Sequence, residues 1–136
     1  MGKGQATEND CLKMILMGID PSYRTGTTIY AALYNADPSN NVIATTFETA
    51  YTNYNRVAIV KATGWSGGTG STFYNGGVIT FPQCGVTGDI ITHIGLVSTA
   101  SGTGQIFYSG ALANPLTIVN LIQPQFPIGS LVITES

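Results

Sequence analysis

The chain has 136 residues and a mass of 14.3 kDa; 43% of it is hydrophobic, only 9% is charged, and the formal net charge is −2. That length holds one domain, and the five basic residues (Lys3, Lys13, Arg24, Arg56, Lys61) are too scattered to meet the phosphates of a nucleic acid. From Ala62 to Thr134 the only formal charge is Asp89, where an average protein is about 25% charged, so the surface suits a chain packed on other proteins or a secreted or particle-bound β protein.

Ile, Leu, Val, Tyr and Phe are too frequent, and the net charge too small, for a disordered chain. Apolar runs stay well short of a membrane span, and no membrane partner is expected. The first residues lack the hydrophobic stretch of a signal peptide, so synthesis in a reducing cytoplasm is expected. Cys11 and Cys84 are two lone thiols, too few for a disulfide framework or a zinc site, and read as small buried hydrophobes.

In chain order, the spacing predicts one helix over 7–18. Thr7 and Asp10 offer a weak capping box, Leu12, Ile15 and Leu16 fall at helical spacing, and Gly18 gives the stop. So short a helix must dock on something to persist. After the Asp20-Pro21-Ser22 turn everything reads as β. Strands are expected at 27–34, 42–47 and 56–61, with turn chemistry over 35–41. A Gly-rich loop covers 64–71, and Asn75-Gly76-Gly77 signals a hairpin feeding a strand at 78–81 that Pro82 ends. Further strands are expected at 89–97, 105–112, 116–122 and 129–134. The fold class is therefore mostly β: a single β-sandwich (jelly-roll or Ig-like) of about eight strands over 27–135, with a short N-terminal helix, in one domain spanning 1–136.

Chemistry is hard to find in this chain. Gly64-Trp65-Ser66-Gly67-Gly68 matches G-x-S-x-G, and Asp89 and His93 follow in hydrolase order. The residues after Ser66 make a poor helix start, however, and Asp89 and His93 would lie about 13 Å apart along one expected strand. Gly102-Thr103-Gly104 lacks the third glycine of a dinucleotide fingerprint, and no glycine-rich segment leads into Lys-Ser or Lys-Thr. His93, the only histidine, reads as a hydrogen-bonded strand residue, and Glu48, Asp37 and Asp89 read as isolated acids. No catalytic, cofactor-binding or metal residue is assigned, no cofactor is expected, and the chain is expected not to be an enzyme. Tyr51, Tyr54, Trp65 and Tyr74 could form an aromatic platform for sugars, or equally cover the end of a sandwich or a subunit interface.

The ordered series of segments resembles a family of small tailed-bacteriophage structural proteins. Residues 29–38, IYAALYNADP, are similar to that family's "YVALYTADP" opening, and Tyr54-Asn55-Arg56-Val57 to its "YAR" element. Residues 78–82, VITFP, are similar to its "VTFP" strand. Residues 88–96 resemble its "GDWGTVTHVGIF" segment, with Ile90 in place of the usual tryptophan. Residues 107–112 and 129–135 complete the series, which runs from about Glu8 to Glu135.

The resemblance implies a virion structural protein, tail-fibre-like or of the capsid decoration (cement) type, without catalysis. The expected function is a cement protein that binds capsomer junctions and stabilises the head shell. Its partners would be the major capsid protein and two further copies in a homotrimer, and its place the capsid surface. The alternative is a tail or baseplate fibre-associated protein, possibly with host glycan binding.

Overall fold

The computed structural model describes residues 1–39, 43–67 and 70–134. Among them ten strands form three antiparallel sheets, together with one α-helix and one 3-10 turn, Ser22–Thr25. The five-stranded sheet has the order β1 (Gly2–Lys3), β8 (Ile106–Ile118), β7 (Asp89–Val97), β2 (Thr28–Tyr34), β3 (Val57–Val60). A three-stranded sheet joins β10 (Val132–Thr134), β5 (Thr72–Asn75) and β4 (Trp65–Gly67), and a small ribbon pairs β6 (Ile79–Thr80) with β9 (Gln125–Phe126). The mostly β class and the single N-terminal helix agree with expectation. The partition into sheets of five, three and two strands differs from one eight-stranded sandwich.

Strand β2 explains why its sequence is apolar without alternation. Ala31 and Leu33 belong to the larger core cluster, while Ala32 and Tyr34 belong to a second cluster on the opposite face. A strand buried on both faces needs no polar side. The larger cluster joins β2 to Ile79, Phe81, Cys84, Ile91, Ile94, Leu96, Ile118 and Leu131. The second holds Ala44, Val97 and Ile106, with the Tyr34 hydroxyl donating to the Ala44 carbonyl at 2.7 Å.

That arrangement corrects the strand expected at 42–47. Val42 lies outside the described residues, and Ile43–Phe47 forms turns with one isolated bridge, Tyr34 to Glu48. Ala44 covers the second face of β2, and Phe47 takes a positive φ of 63°, which no continuous strand allows. The hairpin expected at Asn75-Gly76-Gly77 is also absent, because β6 pairs with β9 and β5 pairs with β4 and β10. The Gly-rich segment contributes β4, and its Gly68 and Thr69 lie outside the described residues.

Two expected strands merge. The expected strands 105–112 and 116–122 fall largely in one strand, β8, which runs through Pro115 and ends at Ile118, so that 119–122 turns away instead of continuing as strand. The β7 register passes from Ile91 opposite Leu116 to His93 opposite Ala111, so Thr92 faces the whole stretch from Leu112 to Pro115. The proline sits in that bulge, where its missing N–H costs the ladder nothing.

Candidate interaction surface

The helix, α1 (Gln5–Met17), begins earlier than expected, with Gly4 at the N-cap, and ends at Gly18 in the left-handed conformation, φ 66°. Thr7 is not the cap. It is buried, and its hydroxyl donates to the Ile106 carbonyl at 3.2 Å. The Gln105 amide donates to Thr7 and to Asp10, each at 3.0 Å, and the Tyr23 hydroxyl reaches Asp10 at 3.2 Å. Burial first, and then the Asp10 charge, push the Tyr23 hydroxyl up to about 12. The helix therefore docks through Thr7 and Asp10. The apolar stripe of Leu12, Ile15 and Leu16, expected to be the docked face, points away, at 57%, 74% and 74% exposure. Under the docked face lies an open cavity of about 510 Å³, lined among others by Cys11, Met14, Ile29, Trp65, Phe107 and Ile133.

A second apolar surface occupies the far end of the sheet. Val119, Leu121 and Ile122 are exposed beside Val86. Leu121 has a φ of 73°, a strained conformation for a bulky side chain. It is held by its own N–H donating to the Cys84 carbonyl at 2.9 Å and by the Gln83 amide donating to its carbonyl at 2.8 Å.

Polar chemistry inside the molecule is spent on holding loops. Glu48 is not isolated: Arg56 grips it with two donors, Nε to Oε1 and Nη2 to Oε2, both 2.7 Å. The side chains are only 2% (Arg56) and 12% (Glu48) exposed. The same guanidinium donates to the carbonyls of Thr99 and Gly102, at 2.9 and 2.8 Å. The Tyr54 hydroxyl donates to Glu48 at 2.8 Å and accepts from the Leu33 N–H at 3.1 Å. Hydrogen bonding to Glu48 raises the Arg56 value above its ordinary one, and burial followed by the Glu48 charge raises that of Tyr54. One ion pair thus ties the 48–56 and 98–104 loops to β2. No sequence signal marks a pair eight residues apart across an irregular loop.

Asp89 is likewise engaged, accepting from the Thr49 hydroxyl at 2.6 Å and the Asn35 amide at 3.2 Å. His93 meets the Thr92 hydroxyl at 2.8 Å through Nδ1, as a strand histidine should. Ser66 lies on β4, and among the described residues no hydrogen bond joins any two of Ser66, Asp89 and His93. Asn75, fully buried, donates to the Gly77 and Pro127 carbonyls and accepts from the Leu131 N–H, all within 2.9 Å. No group of His, Cys, Asp and Glu among the described residues could hold a metal ion. Cys84 is buried, whereas Cys11 is only partly so.

The aromatic platform does not form. Tyr51 is buried and donates to the Pro82 carbonyl at 2.7 Å, with its ring edge-on to Tyr54 at 5.3 Å. Trp65 pairs opposite Asn75, and Ser66 opposite Tyr74, so Trp65 and Tyr74 project from opposite faces of the three-stranded sheet.

Comparison with protein-family models matches residues 2–134 to the family described as Podophage GP4 fiber I protein gp80. The chain belongs to this fibre-protein family. It is a phage virion structural protein of tail-fibre-like type, and family membership gives it a virion location. Comparison with curated proteins gave no significant match. Exposed apolar side chains stand at α1 and at the 119–122 turn. Among the described residues no helix is long and apolar enough to cross a membrane.

Proposed function

We propose that the chain is a non-enzymatic, homotrimeric fibre component seated on the tail or baseplate, acting through protein contacts. The carrying observation is the pair of uncovered apolar surfaces, on α1 and around Leu121, on a charge-poor body of a fibre-protein family. Isolated soluble domains cover such faces with mixed charges, and this chain does not. Its five dispersed basic residues fit protein partners better than nucleic acid, and no cofactor enters the reading.

A second reading has one observation in its favour. The longest element is 13 residues, and no extended coil or β-helical repeat of a fibre shaft occurs among the described residues. A compact block of this kind also suits a decoration protein that binds the major capsid protein at capsomer junctions on the capsid surface. Quantitative mass spectrometry of purified virions, normalised to the major capsid protein, separates the two. The fibre reading expects a few to a few dozen copies per particle. Hundreds of copies, approaching one per capsid subunit, would replace it with the decoration reading.

A further inference from the structure

We infer that α1 is a parallel homotypic seam, through which copies of this chain associate. The inference rests on the self-assembly proposed above and names the surface that makes it. Written as a heptad repeat over the helix, Asn9 and Leu16 occupy position a and Leu12 occupies position d. Thr7 and Asp10, which hold the helix on its own body, fall at f and b, and Cys11 and Met14, which line the cavity, at c and f, the opposite side of the cylinder. The body therefore presents the seam outward, and copies can meet there with their domains radiating away.

Charge selects a second copy over other occupants. Glu8 stands at g and Lys13 at e, both exposed, on the two flanks of the seam. Within one helix these flanks face apart and cannot pair. Between parallel copies, g of one chain lies beside the following e of the next, so each Glu8 meets a Lys13. Asn9 at position a adds a side chain whose donors and acceptors complement another copy of itself. Unlike an interfacial membrane helix, this one carries an acidic flank and a single lysine on its polar side.

Sedimentation equilibrium of the full chain tests the seam. Wild type is expected to be oligomeric, and Leu12→Glu with Leu16→Glu to be monomeric with unchanged near-UV circular dichroism. Glu8→Lys or Lys13→Glu alone should weaken association about tenfold, and the double reversal should restore it. These two residues are exposed, so the charge series reads association even where the leucine variants fail to fold. A wild-type oligomer indifferent to the α1 variants overturns the seam and leaves self-assembly standing. A monomeric wild type overturns both, as does a monomer that co-sediments with phosphatidylcholine vesicles through Leu16. Virion copy number, which reads location, is independent of all of these.

Discussion

Arg56 carries more of the structure than any other polar side chain, because one guanidinium closes on Glu48, Thr99 and Gly102 at once. Such a bidentate pair, nearly removed from water, is neutral at best against a well-packed apolar replacement, but removing one partner strands the other charge. Arg56→Met should therefore lose about 3 kcal/mol of stability in urea denaturation. The compensating double variant, Arg56→Met with Glu48→Leu, should recover a large part of it. Equal losses in the single and double variants would mean that the loop contacts to Thr99 and Gly102, and not the ion pair, hold this corner. Asn75 has the same character without charge, since three backbone groups depend on one buried amide. Neither residue was legible as structural from the chain: Asn75 read as turn chemistry, and Glu48 read as a lone acid. Their partners come from segments up to 56 residues away, which no local pattern records.

At the scale of elements, the signals that held were local ones. The run 89–97 is β7 to the residue, the strand at 27–34 is β2 less one residue, and Gly18 stops α1 in the left-handed conformation. The signals that failed were those decided by pairing. The two strands expected at 105–112 and 116–122 are joined through a bulge opposite Thr92 that absorbs Pro115, and Gly76-Gly77 should reverse a hairpin whose second strand found β9 instead. Helical spacing located α1 but misassigned its faces, since Thr7 and Asp10 dock through hydrogen bonds while the leucines stay outside. Gly18 gives a clean test of how α1 is terminated. A Cβ there would meet open space, so Gly18→Ala adds only the cost of a left-handed alanine, about 1 kcal/mol. Amide hydrogen exchange in the last turn of α1 should accelerate about fivefold, with the exchange of β7 and β8 unchanged. Unchanged exchange in α1 would show that the helix end is fixed by contacts other than its cap.

For the whole molecule, sparse charge shifts the control of pH stability from acids to tyrosines. Tyr34 and Tyr54 have values raised by burial first and the Glu48 charge second, and burial takes Tyr51 up to about 12. Tyr23, under the helix, is also near 12. An unfolded tyrosine ionises near 10. The folded state therefore holds protons that the unfolded state releases, and stability is complete below pH 10 and falls as pH rises through 12. These residues lie in different parts of the fold: Tyr34 in the second core cluster, Tyr51 and Tyr54 at the Glu48 corner, Tyr23 against α1. Alkali should thus unfold the domain as a unit, with tyrosinate absorbance rising together with loss of circular dichroism. The Arg56–Glu48 pair does not explain such a loss, because Arg56 has its value raised and keeps its charge across this range. Urea midpoints should be level from about pH 7 to 10 and fall steadily from 10 to 12. Tyr51→Phe removes one ionisation and should shallow the slope. A midpoint level to pH 12, or a slope unaffected by Tyr51→Phe, would show that the buried hydroxyls do not govern the alkaline limit of this fold.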